Sequence, residues 1–303
     1  HCNLHATLRQ RLKAVQALSK QHRISILCRV LNVNRSTYYK YVNRQPSHRE
    51  QENQQLKQKI LEIYAKTDKR LGSRKMKLCL AQEHCISISE GRVYRLMKQM
   101  NLPKMSTVKP PKLKSSTEET GICTNLLAQQ FNQPAPNLVW VCDFTYVRVG
   151  TRFFYLCVIL DLYARKVIAC RVGKRIDRFL AIDTLRDAVR RRGVSKGVMF
   201  HTDRGSQFTS FDFRKEIDSL HMVQSFSAKG RPYDNAVMEC FFKYLKKEEL
   251  NRRHFQSVEQ LKQSLVSYIA GFYNPIRPHS HNHGLSPNQM ENRYFANFTC
   301  PLY

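Results

Sequence analysis

The chain has 303 residues, 42% of them hydrophobic, with 16 Phe and 14 Tyr. That is enough apolar side chain for at least one proper core and too much for wholesale disorder. Its 51 basic and 23 acidic side chains give a formal charge of +28, which suits a polyanionic partner, nucleic acid first. No apolar run approaches the ~20 residues that cross a bilayer, and no signal peptide opens the chain. A membrane partner is therefore set aside, and a cytosolic protein is expected. The charge is unevenly shared: residues 1–135 carry 25 basic and 8 acidic side chains, residues 136–303 carry 26 and 15. Ten cysteines sit singly with no C-x-x-C pair, which argues against a zinc ribbon or a disulfide framework.

In chain order, Leu4, Leu8, Leu12, Val15 and Leu18 fall on one face of a helix. Two short helices follow, Ile24 to Leu31 and Arg35 to Tyr41, joined by Asn32-Val33-Asn34. The second is basic and rich in hydroxyls, with Arg35 and Lys40 on its open side, so residues 1–46 read as a helix and a helix-turn-helix. Residues 47–104 form a second helical, helix-turn-helix-like unit. There Leu56, Ile60, Ile63 and Tyr64 point inward, Ser87 to Glu90 matches a capping box, and the last helix turns Arg92, Arg95 and Lys98 outward. Residues 105–135, opening on a stretch of Pro, Lys, Ser and Thr, are expected to be a linker.

From residue 136 the pattern changes. Leu138–Val149, Phe153–Leu162 and Lys166–Val172 read as three strands separated by short gaps, hence antiparallel neighbours. A helix over Arg178–Arg192, a strand over Gly197–His201, a helix over Phe211–Leu220, a strand over His221–Phe226 and a helix over Asn235–Glu249 complete residues 136–250. This is an α/β layout with a mixed five-stranded sheet. Residues 251–303 form a helical C-terminal extension.

Two acids, Asp143 and Asp203, sit at or near the ends of apolar strands, and a third, Glu239, lies early in a helix. Carboxylates in such places are costly unless a cation neutralises them. Mg²⁺ suits sparse oxygen ligands completed by phosphate and water. Two such ions promote phosphodiester displacement. Taken singly, an acid is more often a cap or an ion-pair partner, and Asp161, Asp212 and Asp234 are read that way. Asp161 competes for the metal role because it too ends a strand.

With 35 residues between Asp203 and Glu239, the trio resembles the Asp-Asp-Glu (DDE) core of retroviral-type integrases and many bacterial transposases. The words WVCDFTYV (140–147), HTDRGSQFTS (201–210), SAKGRPYDNAVMECFFKYLKKEEL (227–250) and YNPIRPH (273–279) resemble the second-frame product of IS3-family insertion-sequence transposases. The match runs from near residue 24 to about residue 292.

The resemblance implies an RNase H-like core with Asp143, Asp203 and Glu239 as catalytic metal ligands. It implies two Mg²⁺ ions, with Mn²⁺ able to substitute, and cleavage and strand transfer on double-stranded DNA carrying the element's terminal repeats or the target. It further implies a homo-oligomer, at least a dimer on DNA. Lys243 and Lys246 share a helix face with Glu239 and resemble DNA-contacting lysines of such cores. Lys229 and Arg231 flank Gly230 in the preceding loop, suited to gripping phosphate, and Asn235 is expected to cap the helix. His279, His281 and His283 alternate like a metal tract, although a core or phosphate-contacting place suits His279 better. The start at His1 and the Leu4–Leu18 run fit a chain beginning partway through a fusion with an upstream-frame product. The rival readings are a retroviral-type integrase, which would carry a His-His-Cys-Cys zinc domain absent in this spacing, and an inactive DNA-binding descendant.

Overall fold

A computed structural model describes residues 6–102, 123–228 and 232–299, and these divide into two compact units that meet in sequence at Lys59 and Ile60. In the first unit, α1 (Leu8–Leu18), α2 (Ile24–Val30) and α3 (Arg35–Val42) enclose Leu12, Val15, Leu27, Cys28, Val33 and Tyr38. Thr7 caps α1 in a full capping box with Gln10. Asn34 accepts the Ser36 N–H and so starts α3. Leu4 lies outside the described residues.

The helix α4 (His48–Lys66) leads into the second unit, where α5 (Ser73–His84) and α6 (Glu90–Gln99) follow. The cap of α6 is Ser89, whose Oγ accepts the Arg92 N–H, rather than Ser87. Ser87 to Ser89 run extended and bury Ile88, and the Glu90 carboxylate accepts instead from the Ser73 hydroxyl. Residues 103–122 lie outside the described set. The chain re-enters along the sheet edge, with the Leu126 and Leu127 amides donating to Ser225 Oγ and the Phe226 amide to the Thr124 carbonyl.

The sheet has five strands in the order β3-β2-β1-β4-β5: β1 (Val139–Val149), β2 (Arg152–Asp161), β3 (Lys166–Gly173), β4 (Met199–Thr202) and β5 (Val223–Phe226). The first three pair antiparallel, as their short gaps require, while β4 and β5 join parallel after helical crossovers. Between the strands run α7 (Arg178–Arg192), α8 (Ser206–Thr209) and α9 (Phe211–Ser219). Together they bury Trp140, Cys142, Ile159, Phe200, Phe208, Phe213 and Leu185 against one sheet face. The single turn α8 has no sequence period long enough to announce it. It forms because Phe208 is fully buried there between Phe144 and Phe213.

The other face is covered by α10 (Ala236–Glu248). The C-terminal extension adds α11 (Val258–Val266), which widens into a π-helical stretch over Ser267–Tyr273, and then α12 (Pro287–Thr299). Asn274 closes the open edge of β3: its Oδ1 accepts the Val167 N–H and its Nδ2 donates to the Val167 carbonyl. That pair of bonds imitates a further strand at Val167, the start of the edge.

Candidate active site

Register brings the first two acids together. β1 and β4 run parallel with Val141 opposite His201, so the positions two residues on, Asp143 and Asp203, lie side by side, about 4.8 Å of strand spacing apart. Alternation sets their direction. Trp140, Cys142 and Phe200 point into the α7–α9 core, so Asp143, His201 and Asp203 point to the face that α10 covers. Glu239 stands in the first turn of α10, where the positive end of the helix favours a carboxylate.

The local backbone holds both aspartates. Asp143 Oδ1 accepts the Phe144 N–H at 2.7 Å, and Asp203 Oδ1 accepts the Gly205 N–H at 3.0 Å. Burial raises the Asp143 carboxyl to about 8, helped by the facing Asp203 and Glu239 charges and opposed by the Phe144 amide and Lys246. Burial likewise raises Asp203. Lys246 sits with its ammonium 4.7 Å from the Tyr146 ring centroid and feels the Asp143 charge. Glu239 itself is exposed, as is Lys243 one turn further along. Among the described residues, no group of three His, Cys, Asp or Glu is gathered tightly enough to hold a metal ion. The three acids share an environment without converging into a closed ligand set.

The remaining positions singled out in the sequence divide. Arg35 and Lys40 are exposed on α3 of the first unit, Arg95 is exposed on α6, and Arg92 is half-buried there. Lys229 and Arg231 lie outside the described residues. Asn235 precedes α10 but makes no side-chain cap, and its buried Oδ1 has no partner among the described residues; a 3₁₀ turn over Pro232–Asn235 supplies the entry. Asp161 accepts the Asn137 and Tyr163 amides and pairs with Arg192, Asp212 pairs with Arg178, and Asp234 accepts from Asn125, Gln129 and the Ala228 amide. All three are structural acids. The histidine tract is structural too: His281 Nε2 meets the Tyr163 carbonyl, and His279 packs edge-on to Tyr273.

One residue near the acids carries more than its sequence word suggested. His201 is fully buried, its Nδ1 2.9 Å from Ser225 Oγ and its Nε2 3.1 Å from the Asp234 carbonyl. A carbonyl only accepts, so Nε2 bears the proton and Nδ1 accepts from the serine. Burial lowers this ring to about 4, keeping it neutral. It thereby ties β4 and β5 to the turn before α10. Arg204 adds a second tie, donating to the Ser227 and Cys123 carbonyls. The signal available beforehand was a histidine inside an apolar strand two residues before an acid.

Family profiles for an integrase core domain match residues 133–232 and 239–295, and one for an HTH-like domain matches residues 50–110. Transposase InsF for insertion sequence IS3A, from Escherichia coli K12, is 34% identical over 276 residues, spanning 90% of this chain and 95% of that protein. The chain belongs to the IS3 family of insertion-sequence transposases. The uncharacterized 31 kDa protein of insertion element IS600 from Shigella sonnei is also similar to this transposase, 34% identical over 268 residues, with 88% and 98% covered. Among solved structures, the catalytic core domain of BIV integrase aligns with a TM-score of 0.40 at 16% identity, over 54% of the transposase and 99% of that chain. A likeness of that size carries no argument about the site. The fold reading rests on the sheet order and the profile matches. No described helix of the transposase is long and apolar enough to cross a membrane.

Proposed function

We propose that Asp143, Asp203 and Glu239 form the carboxylate centre at which this transposase cuts and joins DNA. The observation that carries the proposal is placement: two acids at matching register on adjacent strands and a third on the covering helix, in surroundings where burial and the other two acids push Asp143 up to about 8 and so disfavour its charged form unless a cation is bound. Oxygen donors of this type fit a hard divalent cation, which would neutralise the charge and draw the exposed Glu239 inward. Mg²⁺ bound there, as two ions with Mn²⁺ as a substitute, would activate an attacking oxygen and stabilise a leaving one.

The protein's own residues supply position. Backbone amides of Phe144 and Gly205 fix the two aspartates, and His201 and Arg204 fix the segments that carry them. Lys246, braced on Tyr146, and Lys243 face DNA along α10, while Lys229 and Arg231, shortly before it in sequence, grip the same DNA; Arg35, Lys40, Arg92 and Arg95 extend the contact from the helical regions. At the element's end, water attacks phosphorus and the bond to the 3′ oxygen breaks, leaving a 3′-hydroxyl. That hydroxyl then attacks a second phosphodiester, one P–O bond forming as another breaks. The transposase works as a homo-oligomer in the bacterial cytoplasm.

The test is strand transfer on a labelled element-end duplex with Mg²⁺, comparing wild type with Asp203→Asn. The variant is expected to bind DNA with unchanged affinity and to form no cleaved or joined product. Product at the wild-type rate would sink the proposal, and binding without nicking by the wild type would favour a DNA-binding descendant. A thermal shift gives a readout independent of turnover. Mg²⁺ should raise the wild-type melting temperature and leave that of Asp203→Asn unmoved.

A further inference from the structure

A cleft of about 260 Å³ opens between the start of α5 and the end of α10, lined by Arg70, Arg74, Lys75, Tyr244, Lys247 and Glu248 among others. Four of these side chains are basic and one is acidic. The acid is fully engaged: Glu248 accepts from Lys75 Nζ at 2.7 Å, from Arg277 Nε and Nη2 at 2.7 and 2.9 Å, and from the Tyr268 hydroxyl at 2.8 Å. Arg70 is likewise committed, donating through two nitrogens to Glu249. Arg74 and Lys247 remain, with no ion-pair partner among the described residues. Positive charge is thus in excess at the mouth, where Arg74 and Lys247 stand beside the paired Lys75 and Arg70.

The place of Lys247 on α10 gives the cleft a direction. Glu239, Lys243 and Lys247 recur every four residues and share one face, and eight residues of helix rise about 12 Å. Phosphates of one B-form strand rise 3.4 Å each along the duplex axis but wind around it, so neighbours lie about 7 Å apart in space and a reach of about 12 Å spans roughly two nucleotides.

We propose that this cleft is a binding subsite for a DNA backbone phosphate, held by Arg74 and Lys247 about two nucleotides from the phosphate that reacts. The subsite rests on the proposed centre at Asp143, Asp203 and Glu239 for its distance, and on its own unneutralised cations for its charge. Lys243 bridges the two along the helix. Arg70 and Lys75 form the wall of the cleft, because their partners are carboxylates already buried beneath it. The subsite fixes the register of the strand against Glu239, which the exposed face of α10 alone leaves free to slide.

The experiment compares the full chain with Arg74→Ala/Lys247→Ala on a duplex carrying the terminal repeat of the element that encodes it. Binding is followed as a function of salt. One phosphate contact contributes about 0.9 to the slope of log K against log salt, so the double variant should lose about one unit of slope and bind about tenfold more weakly at low salt. A neutral methylphosphonate placed about two nucleotides from the reacting phosphate should weaken wild-type binding and leave the variant's unchanged. Unchanged slope, or a methylphosphonate penalty equal in the two proteins, overturns the subsite. So does protection by inorganic phosphate without any change in DNA affinity, which would make the cleft an ion site only. The melting temperature should match the wild type, and Arg74→Lys/Lys247→Arg should restore the slope. Failure here, with Asp203→Asn still inactive, leaves the carboxylate centre standing; strand transfer by Asp203→Asn removes that centre whatever the cleft does.

Discussion

Asp143 shows what a carboxylate loses when a strand carries it into the covered side of a sheet. It keeps one amide hydrogen bond, from Phe144, and gains the fields of two further acids. An asparagine would keep the bond and remove the repulsion. Asp143→Asn is therefore expected to abolish strand transfer while stabilising the metal-free protein by about 1–2 kcal/mol. Chemical denaturation with EDTA present measures this, and a loss of stability would mean that Asp143 contributes to the fold as an ion. His279 is a second case, in a cavity it lines with Val237, Cys240 and Tyr273. Burial, then Arg277, Arg165, His281 and Lys75, hold its ring at about 3, against about 6.5 in the unfolded chain. The folded ring stays neutral where the unfolded one takes a proton, so stability is untouched above pH 6.5 and falls as the pH drops from there toward 3. The loss reaches a few kcal/mol at most by the 1.36 kcal/mol worth of each unit. His279→Asn should flatten that part of the stability profile, and an unchanged acid limb would reassign it to the carboxylates.

At the scale of elements, most of the fold was legible because its signals are local. The helix over Arg178–Arg192 stood between an aspartate cap and a terminal glycine, both of which act as such here. β1 to β3 announced themselves as apolar runs with gaps too short for anything but hairpins. The Asp143 and Asp203 pairing was legible only as two strand-end acids; their shared face follows from a register that the sequence does not display. What could not be read were partners far apart in the chain. Asn235 resembles a cap, yet a 3₁₀ turn displaces it. Glu248 and Glu249 resemble solvated ends of an amphipathic helix, yet both are buried because Arg277, Arg70 and Lys75 arrive from distant segments. Burial works to raise the Glu248 carboxyl, but Arg277 and Lys75 together hold it below its usual value. Such a network costs most when half of it is removed. Glu248→Ala leaves Arg277 buried and uncompensated, and should destabilise the protein by about 3–5 kcal/mol. Glu248→Met with Arg277→Met should cost distinctly less than the two single changes together. Additive losses in urea unfolding would show that the pair acts as two independent side chains.

At the scale of the molecule, the same network decides which parts can be separated. α5 and the turn before it join the C-terminal half through Arg70 to Glu249 and Lys75 to Glu248, and Gln82 donates to the Gly284 carbonyl. It also buries Met76, Cys79 and Leu80. The HTH-like helices are therefore part of the structure that supports the end of α10, nine residues from Glu239. A fragment comprising residues 47–303 retains every one of these contacts, whereas one comprising residues 123–303 keeps the whole sheet but abandons Glu249 to Ser264 and Arg253 alone. The shorter fragment leaves part of a buried charge network unmatched and exposes the apolar surface that α5 and α6 covered. For a domain of this size 1 kcal/mol moves the melting temperature by about 2–4 °C, so losses of several kcal/mol should lower it by roughly 10 °C or more relative to residues 47–303. Calorimetry on the two fragments at equal salt decides the point. Equal melting temperatures would show that the sheet and α10 stand without α5, and that Lys75 and Arg70 are incidental neighbours of the carboxylates they touch.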